Sequence, residues 1–172
     1  MFFKRIKTIS SEKFLTTVLE ARSKQFSSEK IKTIGILFHY DQFVNYDFFR
    51  MLFTDLGFND NNFRFIVFYE NENSQPNSWD SSYTNTDFDW LGHCKSPEVA
   101  EFVQQSFDLL ISYYKPNCYA LNIVTALSKA KLKVGISDED HRLHDLIIDV
   151  SLADVSTFKT ELIKYLKTLN KI

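Results

Sequence analysis

Two rhythms of apolar and polar positions alternate along this chain. Short runs that stay apolar on successive residues are separated by segments in which apolar residues recur every third or fourth position. The densest example is 107–136, FDLLISYYKPNCYALNIVTALSKAKLKVGI. Leu109, Leu110 and Ile111, and later Leu132, Val134 and Ile136, lack the strict alternation of a strand with one wet face, so both runs read as strands covered on both sides. The segment between them reads as a helix, and the whole as a strand–helix–strand unit of a parallel sheet.

The same reading extends in both directions. Residues 1–26 predict one or two helices, with Phe3 and Ile6 on one side, a restart at Ser10 or Ser11, then Phe14, Leu15, Val18 and Leu19 at helical spacing. Thr33–Phe38 predicts the first strand. Phe49, Leu52, Phe53 and Leu56 then mark a helix that Asp41 or Asn45 would cap at its start and Gly57 at its end. Phe63–Tyr69 predicts a second strand. From Glu70 to Thr86 the chain is polar, with Trp79 and Tyr83 as its large anchors, a length that suits a binding loop or a mobile excursion. Phe88–Leu91 predicts a short edge strand. Ser96, Pro97 and Glu98 supply a cap, a proline and an acid in the order a helix start favours. Leu146–Val150 predicts a sixth strand, and Phe158, Leu162, Tyr165, Leu166 and Leu169 a final helix.

Strands alternating with helices specify an α/β fold, here a Rossmann-like three-layer sandwich. Its mainly parallel sheet has five to six strands with helices on both faces. The expected division is a basic amphipathic helical arm over residues 1–30 and a single α/β domain over 31–172.

Charge adds to this picture where composition alone does not. The formal net charge is −2, but residues 1–32 carry +5 and the remainder −7. The chain of 172 residues suits one core, of which folding should bury roughly 70% of the unfolded surface. Seventeen Phe and eight Tyr against four Gly and three Pro describe an aromatic core and argue against disorder. Cys94 and Cys118 form no metal or CxxC spacing, which favours a reducing compartment. Phe2 and Phe3 are followed at once by Lys4, Arg5 and Lys7, so no signal peptide or membrane span is expected and the cytoplasm is the expected location.

Candidate chemistry follows from the architecture. Ligands of open α/β sheets bind beyond the carboxyl ends of the strands, where strand order reverses. That rule nominates His39, Tyr40 and Asp41 after the first strand and Tyr69 and Glu70 after the second. It also nominates Tyr113, Tyr114, Lys115 and Asn117 after the central strand, and Ser137 and Asp138 after the next. Neither GxGxxG nor GxxxxGK[ST] occurs, and the turns HYDQ and YYKPN hold no glycine, so a conventional dinucleotide or P-loop enzyme is not expected. GxSxG is absent too, leaving Cys118 as the thiol best located for a lowered pKa. His141 and His144 among Asp138, Glu139, Asp140 and Asp145 have the composition of a divalent-metal site, but no third His or Cys has defining spacing, and a solvated turn explains the same residues. No cofactor and no metal are expected.

The runs TIGILFHYDQF, PNSWDSSYTNTDFDWLG, FDLLISYYKPN, ALSKAKLKVGISDEDHRLHDLIIDV and FKTELIKYLKTLNKI resemble a family of small cytoplasmic proteins from flavobacteria and their Bacteroidota relatives. It is a domain of unknown function. The resemblance covers essentially the whole chain and implies no activity, ligand or catalytic residue. Residues 107–136 are also similar to a strand–helix–strand unit in the N-terminal lobe of heptosyltransferase-like glycosyltransferases. No counterpart of the second, nucleotide-sugar-binding lobe accompanies it, so transferase activity by this chain alone is not expected.

The leading expectation is a non-catalytic binding or interaction module. Lys4, Arg5, Lys7, Lys13, Arg22 and Lys24 would meet an anionic partner, RNA or the ribosome first and a membrane surface second, or another protein. The alternative is a nucleotide or sugar-phosphate site, or a degenerate glycosyltransferase-like enzyme, at the carboxyl edge of the sheet.

Overall fold

The computed structural model describes residues 2–23, 27–43, 45, 47–70, 81–115, 117–136 and 140–172, the first seven of these as backbone alone. Ser137 and Asp138, together with Lys24, lie outside the described residues, as do the side chains of Lys4, Arg5 and Lys7.

The elements are α1 (Phe2–Ala21), β1 (Ile34–His39), α2 (Asp47–Asp55), β2 (Phe63–Tyr69), β3 (Ser81–Thr84), α3 (Pro97–Gln104), β4 (Leu109–Tyr113), α4 (Tyr119–Leu127), β5 (Lys133–Gly135), β6 (Leu146–Ile147) and α5 (Val155–Thr168). Among the described residues six strands form one sheet in the order β3-β2-β1-β4-β5-β6, and every neighbouring pair is parallel. The fold is therefore an α/β Rossmann-like sandwich, with strand order that of the doubly wound dinucleotide-binding folds.

Alternation along the strands divides the core in two. Ile34, Ile36 and Phe38 of β1 point with Phe65 and Val67 of β2 and Leu109, Ile111 and Tyr113 of β4 to the face covered by α2 and α5. Leu37, Ile66, Phe68, Leu110 and Tyr114 point to the face covered by α3 and α4. Both faces are covered, which is why these strands read as continuous apolar runs rather than alternating ones. α1 forms a further layer on the second face, where Phe14, Leu15 and Val18 pack beside the α4 core and Leu19 joins Ala126 and Leu143.

Two expectations need correction, one about the edge strand and one about β6. Phe88–Leu91 is not a strand: Phe88 makes a lone antiparallel bridge to Cys94, and Asp89 closes the turn by accepting the amide protons of Leu91 and His93. The edge strand lies earlier, at Ser81–Thr84, inside the stretch read as polar loop. Tyr83 makes this possible, because its buried ring meets Phe68 and its hydroxyl donates to the Ala120 carbonyl at 3.1 Å. Of the one or two helices open for residues 1–26, the chain forms one, α1, with Ser11 buried where Gly92 and Tyr119 come close. β6 is a two-residue strand and not the five-residue run LIIDV.

Candidate functional site

Strand order reverses between β1 and β4, so the loops leaving these two strands bound the crevice where this architecture binds ligands. The loop after β1 starts with His39, 2% exposed, whose ring meets the edge of Phe68 on the α3/α4 face. Its Nδ1 accepts the Asp41 amide proton at 3.2 Å, which places the proton of the neutral ring on Nε2, 3.5 Å from Glu70 Oε1. His39 thus links the ends of β1 and β2. Tyr40 lies against Tyr69 with ring centroids 4.7 Å apart, and its amide extends the ladder to the Phe68 carbonyl.

The chain then turns at Gln42 and Phe43, whose amides donate to the His39 carbonyl. Gln42 reaches across the crevice, and its Oε1 accepts the Lys115 amide proton at 2.9 Å. Phe43 is buried against Tyr113, and the Tyr113 hydroxyl donates to the Leu152 carbonyl at 3.0 Å. Burial pushes that hydroxyl up to about 12. The bond draws residues 151–154 over the carboxyl edge. Between these segments opens a cleft of about 610 Å³, lined by Gln42, Phe43, Asn45, Lys115, Ser151 and Leu152 with the first turn of α5.

The cleft is bordered by charge of both signs, with Lys115 set against Asp47 in the first turn of α2 and Asp154 at the start of α5. Lys115 is exposed, and its ammonium makes no ion pair among the described residues. α2 and α5 both begin at its border, and helix starts carry partial positive charge. The floor is apolar, which suits a ring or a sugar face.

The nominated residues therefore fall into groups. Lys115 lines the cleft, with Tyr113 and Tyr40 in its support, while Tyr69 is buried in the same core. His39, Asp41 and Glu70 cluster on the other side of β1. Tyr114 turns inward to share a proton with Thr125 Oγ1 at 2.7 Å, with its pKa raised by burial, and takes no part in the cleft. Asn117 is exposed beside Cys118, which starts α4 without a side-chain cap bond. Burial raises the Cys118 thiol above its ordinary value, and the charge of Glu70 raises it further, the opposite of what a nucleophile needs. Gln42, Asn45, Ser151 and Leu152 were not nominated. The strand-end rule stops at the first residues past each strand, whereas these lie farther along their loops or arrive from β6.

The basic residues also separate. Arg22 is internal: its guanidinium contacts Asp145 at 2.7 Å and donates to the Arg142 carbonyl at 2.6 Å. Lys13 is exposed on α1. The acidic turn is used internally as well. Asp140 pairs with Arg142 at 2.6 Å, Asp145 with Arg22, and His144 is buried against Gly135. Among the described residues no group of three or more His, Cys, Asp or Glu is placed to hold a metal ion, and no helix is long and apolar enough to cross a membrane.

Neither a curated protein nor a solved structure matches the chain. The profile of the family of unknown function DUF6913 matches residues 7–169, from α1 through the last turn of α5. The chain therefore belongs to that family.

Proposed function

We propose that the chain is a small-molecule binding protein whose cleft between the β1 and β4 loops takes a compact anionic ligand of the nucleotide or sugar-phosphate class. One observation carries the reading: at the point where strand order reverses, a cleft of about 610 Å³ has an apolar floor and, at its rim, the ammonium of Lys115, which has no ion pair among the described residues. Lys115 meets the phosphate, Gln42, Asn45 and Ser151 offer hydrogen bonds, and Phe43 and Leu152 lie under the ring. The test is a thermal-shift screen of nucleotides and sugar phosphates followed by calorimetry on Lys115→Glu. A ligand at a hundred times its Kd stabilises by about 2.7 kcal/mol, and charge reversal at Lys115 should abolish the shift. Absence of any stabilising ligand, or a shift equal in both proteins, would overturn the reading.

A second reading rests on α1, which runs unbroken and sets Lys4 and Lys7 one turn apart on a helix whose later turns are packed on α4. In this reading the helix start meets an RNA, ribosomal or membrane phosphate surface. Salt-sensitive cosedimentation with ribosomes or vesicles, lost on reversing Lys4, Arg5 and Lys7 together, is its expected signature.

A further inference from the structure

A second cavity, of about 300 Å³, opens at the opposite, amino edge of the sheet, below the end of α4. Four cationic side chains, Arg22, Lys129, Lys131 and Lys133, line it together with the hydroxyls of Ser23, Ser106 and Ser128. Among the described residues no carboxylate lines it. The carboxylates of this region stand behind the cations: Asp145 holds Arg22, while Asp108 and Glu29 hold Lys131 at 2.9 and 3.2 Å. Lys129 has no ion pair among the described residues.

The wall is built, not merely charged. Lys133 is 2% exposed and Ser128 6%. The Lys133 ammonium donates to the carbonyls of Thr125 and Ala126 at 2.7 and 3.1 Å, which neutralises the negative end of α4 where it faces the cavity. Ser128 Oγ accepts the Ala130 amide proton at 3.2 Å, so its own proton remains for another acceptor. The Lys129 and Lys131 amides bond to the Val103 and Phe107 carbonyls, fixing the loop that carries both ammonium groups.

We propose that this amino-edge cavity binds an oxyanion of the phosphate or sulfate type, free or carried on a small metabolite, through Lys129, Lys131, Lys133 and Ser128. Its volume is about half that of the carboxyl-edge cleft, which suits a single tetrahedral anion with a short substituent. The site is independent of the cleft and of any ligand there.

The buried lysine gives binding a proton signature. Burial depresses Lys133 to about 7, the charge of Arg22 lowers it further, and Asp145 opposes both. The other groups facing it are the α4 carbonyls and, from the turn before β6, His144, which burial keeps neutral. An anion in the cavity favours the ammonium form, so binding takes up a proton and tightens as pH falls.

Sulfate is the probe for pH because its own charge stays fixed. Titration at constant ionic strength, followed through the amide resonances of Ser106, Ser128, Lys129 and Lys131, should give saturable shifts while those of Gln42 and Lys115 stay in place. Affinity should drop by as much as about tenfold per pH unit above neutrality, and Lys133→Met should remove that dependence. Lys129→Glu, at an exposed position without an ion pair among the described residues, should weaken binding about tenfold with the rest of the spectrum unchanged. Inorganic phosphate and glycerol phosphate then separate the two sources: equal affinity assigns a free anion, and tighter ester binding an anion on a metabolite. Unsaturable or absent shifts at those four amides, or equal affinity in Lys129→Glu, would overturn the proposal.

Discussion

At the scale of single residues, several positions are fixed by close contact rather than by hydrophobic pattern. Gly135 is one, since a Cβ there would come within 2.5 Å of the His144 ring that lies flat on the strand. Gly135→Ala is expected to destabilise by about 1–3 kcal/mol, read from urea midpoints, because a packed ring cannot retreat from the backbone. Arg22 and Asp145 are another such pair, with side chains only 10% and 7% exposed. Arg22→Ala leaves a buried carboxylate whose remaining partner is the Lys133 amide, and should cost about 3–5 kcal/mol. The double variant Arg22→Met/Asp145→Leu should recover much of that loss, which a double-mutant cycle measures. None of this was legible beforehand. Arg22 reads as one of several basic residues and His144 as part of a polar turn, because the burial of Arg22 depends on Asp145, 123 positions away, and that of His144 on its packing over Gly135 of the neighbouring strand.

At the scale of elements, what was legible is what packs on two sides. β1, β2, β4 and β5 were readable as apolar runs, and α5 from Phe158, Leu162 and Leu166, because their burial is written in their own composition. β3 was not, since Ser81 and Ser82 are half-buried edge residues and only Tyr83 and Thr84 are buried. Its pairing is earned by Tyr83 reaching Ala120 on α4, a contact that no local pattern announces. The docking of α1 has a similar hidden condition at Gly92, where φ is +94° and a Cβ would collide with the Tyr119 hydroxyl and Ser11. Gly92→Ala should destabilise by about 1–3 kcal/mol and selectively speed amide exchange in the Ser11–Leu19 part of α1. Equal acceleration across the sheet would contradict that coupling. The candidate cleft was half legible for the same reason. Lys115 follows its strand directly, but Gln42 matters through a bond across the crevice.

For the whole molecule, the buried titratable groups set how stability changes with pH. His144 falls to about 3 from an ordinary 6.5, so between those values the unfolded chain binds a proton that the folded chain refuses, and stability falls on acidification. Lys133 falls to about 7 from 10.5, so the unfolded chain again holds more protons in that window and stability climbs as pH rises above 7. Each slope is at most about 1.4 kcal/mol per pH unit. The tyrosines act in the other direction. Tyr113 and Tyr119 rise to about 12 from 10.0 by burial, so above pH 10 the folded state holds the extra protons and loses stability. Urea midpoints should therefore increase from pH 7 to about pH 9 and decline beyond about pH 10, and Lys133→Met should flatten the first limb.

For the ligand proposed above, the Lys115 amide held by Gln42 would also determine how fast the cleft fills. With the two loops tied at 2.9 Å between Gln42 and Lys115, the proposed ligand would meet a crevice of preset width and need no closure step. Stopped-flow traces on the wild type should be single-exponential, with an observed rate linear in ligand concentration. Gln42→Ala frees the loops, so its rate should level off at high concentration as rearrangement takes over. One side-chain amide would then decide whether this protein meets its ligand as a rigid receptor or as one that must first find its shape.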